Sequence, residues 1–294
     1  MYNNHKKSAN DSKTAVYIVV IFDISTLFFS VCNYYIIEAQ KKTSNILLFE
    51  QTRQFRFQSK KGVQEKMANK VRIGLLGAGR IGKLHGENLA HAVPNADLYA
   101  VADPFMNDAT RAWAADMGIE KCYDDPEMIF GDPTIEAVFI CSSTATHADF
   151  IMRAAQTGKH IFCEKPIDTK LAKIEEALAA VKKAGVKLQV GFVRRFDHNH
   201  KAVRDTVASG KLGKPNLIKV TSRDPDHQPM SYIKVSGGIF YDMMIHDFDM
   251  ARFLAGSEVT EVNAVGSVLV DPGIGEAGDV DTALVTLKFA NGAI

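Results

Sequence analysis

From Val71 onward the chain alternates short apolar runs with longer amphipathic ones. Val71-Arg72-Ile73-Gly74-Leu75-Leu76 has the length and continuity of a strand buried on both faces. The residues after it repeat apolar side chains at helical spacing through Leu84, Leu89 and Ala92. The pattern returns with apolar strands predicted over 98–102, 137–141, 160–163 and 188–190, and helices opening at His147 and spanning 169–184. Strand and helix in regular alternation predict a parallel sheet covered by helices, a Rossmann domain over 67–190.

Past Gly191 the pattern changes. A helix is predicted to end near Ser209, a turn falls at Gly213-Lys214-Pro215, and strand-like segments cover 216–221, 259–270 and 280–289. Residues 191–294 therefore read as an α+β domain with an open, mostly antiparallel sheet. Residues 1–66 are different again. The run 15–37 is apolar and aromatic and long enough to span a bilayer, yet Asp23 near its middle would be costly there. The stretch that follows is basic and aperiodic, and Met67 is a natural start. The extension is expected to be non-native or mispredicted, with a membrane anchor through 15–37 as the alternative to a cytoplasmic protein.

Composition narrows the picture. A formal net charge of +1 in 294 residues gives no basic surplus for nucleic acid. Cys32, Cys122, Cys141 and Cys163 form no C-x-x-C pair, so neither a zinc knuckle nor a disulfide framework is predicted. His198 and His200 lie two apart beside Asp197, and His227 follows Asp226, but no third ligand stands at a recognisable metal spacing. No metal is expected.

The chemistry begins at Gly77-Ala78-Gly79-Arg80-Ile81-Gly82, a G-x-G-x-x-G turn between a predicted strand and a predicted helix. Gly77 allows the tight turn, Gly79 lets the backbone approach a pyrophosphate, and Gly82 lets the helix pack closely on the strand. Asp103 ends the second strand, where an acid can bind both ribose hydroxyls and repel a 2′-phosphate, so NAD is expected over NADP. Ligands of open parallel sheets bind beyond the carboxyl ends of the strands, which makes Ser143, Thr144, His147, Glu164 and Lys165 further candidates. In the second domain, Asp242 and His246 are four apart in a predicted helix over 237–249, with Asp249 three residues further on. On one helix they share a face, and an imidazole beside a carboxylate is a candidate general base.

These residues carry a resemblance. Gly77 through Gly82, Cys163-Glu164-Lys165-Pro166, Val190-Gly191-Phe192-Val193-Arg194-Arg195-Phe196-Asp197 and Gly237 through Asp249 follow one another as in the Gfo/Idh/MocA oxidoreductases, over residues 70–294. With Ser222-Arg223-Asp224-Pro225, the pattern is most similar to members that act on inositol. The resemblance implies NAD-dependent oxidation of a secondary alcohol of a cyclic polyol, such as myo-inositol, to a ketone; scyllo-inositol, a related sugar or non-catalytic NAD binding are the alternatives. It implies that His246 takes the hydroxyl proton, that Asp242 orients the imidazole, and that Lys165 hydrogen-bonds the reacting oxygen. Arg194, Asp224 and Asp249 are implied to bind other ring hydroxyls. A cis peptide before Pro166 and assembly as a homodimer or homotetramer are implied as well. Proteins of this kind run on past the point matching Ile294, so a piece of a longer chain is expected.

Overall fold

The computed structural model describes residues 16–23, 34–38 and 70–294, apart from residue 225. Two N-terminal strands, β1 (Val16–Asp23) and β2 (Tyr34–Glu38), pair antiparallel. Both fall in the apolar 15–37 stretch or just past it; the remainder of that stretch and most of the 1–66 extension lie outside the described residues. Among the described residues no helix is long and apolar enough to cross a membrane.

The chain divides into two compact units, and Arg56–Phe192 make the first. Its elements alternate: β3 (Val71–Leu76), α1 (Arg80–Ala92), β4 (Ala96–Ala102), α2 (Asp108–Asp116), β5 (Lys121–Tyr123), α3 (Glu127–Phe130), β6 (Ala137–Ile140), α4 (Thr144–Gln156), β7 (His160–Cys163), α5 (Leu171–Ala184) and β8 (Leu188–Val190). The six strands are all parallel in the order β5-β4-β3-β6-β7-β8. The order reverses at β3, so the crevice where open sheets bind their ligands opens beyond its carboxyl end. Apolar residues on both faces account for the continuous hydrophobic strands. Leu76, Val138, Ile140 and Ile151 fill one core, while Leu75, Leu98, Val101 and Ala114 fill the other.

Two packing details bear on the site. A Cβ at Gly86 would stand 2.7 Å from the Trp113 ring, so only glycine lets α1 close on α2 there. Lys159 is almost wholly buried, and its ammonium donates to the carbonyls of Asp132 (2.6 Å) and Ile135 (2.9 Å), just before β6. Burial lowers the Lys159 pKa, with Asp132 pulling the other way.

The second unit combines Val193–Ile294 with the N-terminal strands. A 3₁₀ turn over Val193–Phe196 leads into α6 (His198–Ala208), capped by Asp197, whose carboxylate accepts from the Asn199 and His200 amides. Then come β9 (Leu217–Arg223), α7 (Met230–Ser236), α8 (Gly238–Asp242), α9 (Ile245–Ala255), β10 (Val259–Ser267), α10 (Pro272–Glu276) and β11 (Thr282–Phe289). The expected antiparallel sheet is present as the β10–β11 pair. It does not include β9. That strand joins β1 in parallel, and the backbone of Ile218 instead pairs with the chain end, its amide donating to the Ile294 carbonyl at 2.8 Å. Met250 and Leu254 of α9 pack with Val203 and Val207 of α6 in this unit's core.

Candidate functional site

The cofactor-binding candidates gather at the carboxyl end of the parallel sheet. Gly77 has φ +95°, a left-handed conformation that side chains disfavour, and a Cβ there would stand 2.7 Å from the backbone of Cys141 and Ser142. A Cβ at Gly82 would stand 2.0 Å from the Gly77 carbonyl oxygen, so this glycine lets α1 start directly against the turn. Gly79 has open space in front of it. As the N-cap of α1 it offers no side chain to the first-turn N–H groups, which leaves them for an anion. Arg80 is exposed and Ile81 half-buried beside it.

Asp103 follows β4. One carboxylate oxygen accepts from the Ala78 amide at 2.7 Å and the other from the Phe105 amide at 2.8 Å, which binds the acid to the glycine turn. Ser143 is the exposed N-cap of α4, and Thr144 opens that helix. His147 is placed differently from expectation. It is 1% exposed, with Nδ1 2.7 Å from the Pro166 carbonyl and Nε2 3.0 Å from the Ser142 carbonyl. A ring so enclosed holds two loops and offers no surface to a cofactor.

Glu164 also differs. Its Oε1 takes His85 Nε2 at 2.7 Å, and its Oε2 accepts from the Lys165 amide at 3.2 Å. The carboxylate is thus engaged within the unit. Lys165 itself is half-buried, and the Lys165–Pro166 peptide is cis. Beneath these residues lie two buried thiols. Burial, reinforced by the neighbouring Glu164 charge, raises the Cys141 thiol; burial also raises Cys163, with Cys141 and Glu164 adding to it.

The substrate-binding candidates belong to the second unit. The predicted single helix over 237–249 is two helices. α8 ends at Asp242, and the Met244 amide reaches back to the Ile239 carbonyl at 2.8 Å, one residue beyond helical register. α9 then starts with three-residue bonds from His246 to Met243 and from Asp247 to Met244. Asp242 therefore closes one helix and His246 is the second residue of the next, so helical periodicity does not set their relation. Tyr232 donates its hydroxyl to Asp242 at 3.1 Å.

Arg194 donates to Asp247 at 2.7 Å and to the Ser222 hydroxyl at 3.4 Å, while Ser222 donates to the same Asp247 oxygen at 2.6 Å. Asp224 belongs to this cluster electrostatically. Desolvation by neighbouring protein atoms raises its carboxyl first, Arg194 opposes, and the charges of Asp242 and Asp247 add to the rise. Asp249 departs from the expected role. It is 5% exposed, and Arg195 grips both its oxygens at 2.7 and 2.6 Å, leaving a scaffold ion pair rather than a free acceptor for a ring hydroxyl. Outside these clusters, His200 Nδ1 is 2.9 Å from Asp197 and His227 Nε2 is 3.3 Å from Asp271.

Sequence reasoning passed over four contributors. His85 lies one turn inside α1, where a helix-borne histidine gives no distinguishing pattern. Asp247 and Ser222 gain meaning only from each other and from Arg194. Asp279 accepts from the Ile239 amide with both oxygens at 3.1 and 3.0 Å, and a Cβ at Gly238 would meet it at 2.6 Å. Gly238 is thus needed for a carboxylate forty positions away to hold the start of α8.

A parallel nucleotide-binding sheet of order 3-2-1-4-5-6 followed by an α+β unit defines a Rossmann protein with an appended second domain. Residues 71–192 match the family described as "Oxidoreductase family, NAD-binding Rossmann fold", and residues 200–294 match the "GFO/IDH/MocA C-terminal domain". The chain belongs to the Gfo/Idh/MocA oxidoreductase family. It is 50% identical over 224 residues to a myo-inositol 2-dehydrogenase of Thermotoga maritima, covering 76% of this chain and 66% of that protein. It is 44% identical over 227 residues to a scyllo-inositol 2-dehydrogenase (NAD(+)) of Bacillus subtilis, covering 77% and 66%. A crystal structure of scyllo-inositol dehydrogenase from Lactobacillus casei, with bound NAD(H) and scyllo-inositol, aligns with TM-score 0.70 and 32% identity, covering 76% of this chain and 68% of that one. The chain spans 66% of the length of each of these two curated relatives.

Proposed function

We propose that this chain carries the NAD-binding and catalytic residues of a cyclic-polyol dehydrogenase that oxidises myo-inositol at a secondary hydroxyl to the ketone. The carrying observation is the cluster of Arg194, Ser222, Asp224 and Asp247, in which donors and acceptors alternate over a short span. A ring with a hydroxyl on every carbon needs such an array, because each buried partner left unpaired costs about 1–3 kcal/mol. The half-identity to the Thermotoga maritima protein supports the same substrate.

The first unit fits NAD. Gly79 leaves room before the uncapped start of α1 for a pyrophosphate, and Asp103 stands against the turn to take ribose hydroxyls. When bound, NAD supplies the hydride acceptor. His246 is assigned to accept the hydroxyl proton, and Asp242 to favour the protonated imidazole. Lys165 is assigned to donate a hydrogen bond to the reacting oxygen and stabilise its developing negative charge. Arg194 and Asp224 are assigned to ring hydroxyls, and Asp249 to holding Arg195. Assembly as a homodimer or homotetramer belongs to the same reading.

The relative acting on scyllo-inositol gives a second substrate for the same site. Turnover is followed by the absorbance of reduced nicotinamide with myo-inositol, scyllo-inositol and hexoses. His246→Ala and Lys165→Ala should each lower kcat, by about 10²–10⁴-fold for the proton acceptor. Wild-type rates in both variants would overturn the assignment, and NAD binding without turnover of any cyclitol would favour a non-catalytic protein.

A further inference from the structure

Lys165 is flanked by two residues that histidines hold. On its N-terminal side Glu164 is bound by His85 of α1 at 2.7 Å, and the other Glu164 oxygen accepts from the Lys165 amide itself at 3.2 Å. On its C-terminal side the Pro166 carbonyl is bound by His147 of α4 at 2.7 Å, and the far nitrogen of that ring reaches the Ser142 carbonyl. Neither histidine is a surface residue. The side chains of His85 and Glu164 are 16% and 15% exposed, and His147 is 1% exposed.

The surroundings leave the Glu164 carboxylate little freedom. A Cβ at Gly191 would approach it to 3.0 Å, so the chain leaving β8 closes one side. The His85 ring meets the edge of Phe162 at 5.0 Å, and Phe162 stacks on Phe139 at 4.6 Å. Stability alone is a poor reason for such a pair, since a partly buried polar pair recovers little beyond its own desolvation cost and an apolar pair would serve. What the pair supplies is direction. It fixes the plane of a carboxylate that receives the Lys165 amide, and it ties that amide to α1, the helix that begins at the glycine turn.

We propose that His85 and His147 form a two-sided brace that aims Lys165, which makes both of them positioning residues. The idea rests on Lys165 acting in the proposed dehydrogenase. His85 acts through Glu164 and His147 through the Pro166 carbonyl; neither touches substrate. A catalytic group displaced by about 1 Å can lose about 100-fold in rate, which sets the size of the effect sought.

The test uses the full chain carrying His85→Leu, His85→Gln or His147→Gln, each with and without Lys165→Ala. It reads kcat and KM with myo-inositol, the NAD Kd by calorimetry, and the Lys165 amide resonance in ¹⁵N-labelled protein. His85→Leu should lower kcat by about 100-fold with KM and NAD Kd near wild type, and should shift the Lys165 amide. His85→Gln, which keeps a donor, should recover part of the rate. In the Lys165→Ala background His85→Leu should cost nothing further, because its route to the reaction is gone. An equal loss in that background, or an unmoved Lys165 resonance, would overturn the brace. If wild type oxidises no cyclitol, the dehydrogenase reading fails by itself and the Lys165 resonance alone decides the brace. If His147→Gln does not fold, the His85 variants carry the decision.

Discussion

Replacing Asp249 separates a scaffold role from a substrate role. Its carboxylate is 5% exposed and receives two charge-assisted bonds from Arg195, while the Arg195 side chain remains 37% exposed. Removing one partner of a fully buried pair costs about 3–5 kcal/mol. Water can reach the abandoned guanidinium here, which also keeps its place 5.1 Å over the Phe253 ring, so a discounted cost of about 2–3 kcal/mol is expected for Asp249→Ala. At about 2–4 °C per kcal/mol for a protein of this size, the melting midpoint should fall by about 4–12 °C. Differential scanning calorimetry measures it. The paired replacement Arg195→Met with Asp249→Leu should be less destabilised than Asp249→Ala, because neither charge is then left desolvated. A wild-type Tm together with a large loss of kcat/KM for myo-inositol would refute this account and return Asp249 to the substrate.

Two further outcomes follow from the geometry. Burial lowers the His200 pKa below 6.5 despite the opposing pull of Asp197, so the fold accepts the neutral ring, and stability should decline as pH falls through about 6.5; the urea midpoint should drop between about pH 7.5 and about pH 5, and His200→Asn should flatten that slope. Asp103→Asn should weaken NAD binding by about 1.5–3 kcal/mol for a lost bond to a charged group and narrow the preference over NADP; calorimetry with both cofactors checks this, and an unchanged preference would count against Asp103 as the discriminating acid.

The first unit was legible because each signal was local. A strand, a glycine turn and a helix follow one another without a gap, and buried parallel strands are continuous apolar runs, so β3, β7 and β8 lie where the hydrophobic pattern predicts. The second unit was harder. Nothing in Tyr241-Asp242-Met243-Met244-Ile245 punctuates the helix, since it holds neither proline nor glycine, yet the Met244 amide slips back to the Ile239 carbonyl. Carboxylates proved the least readable. Glu164 and Asp249 look in sequence like any acid near a binding motif, and only folding shows that His85 and Arg195 had already engaged them. Whether β9 pairs with β10 or with a distant strand is likewise decided by edges that sequence does not display.

The contact of Trp113 with Gly86 gives the molecule an optical reporter of its own. Trp113 is the only tryptophan of the 294 residues, with the Lys83 ammonium 5.6 Å from its ring centroid, and it rests on the middle of α1. Its emission therefore comes from the seam behind the glycine turn and from nowhere else in the chain. A dinucleotide bound at the start of α1 should therefore change the emission of that single fluorophore, and a fluorescence titration with NAD would read occupancy without a label and without turnover.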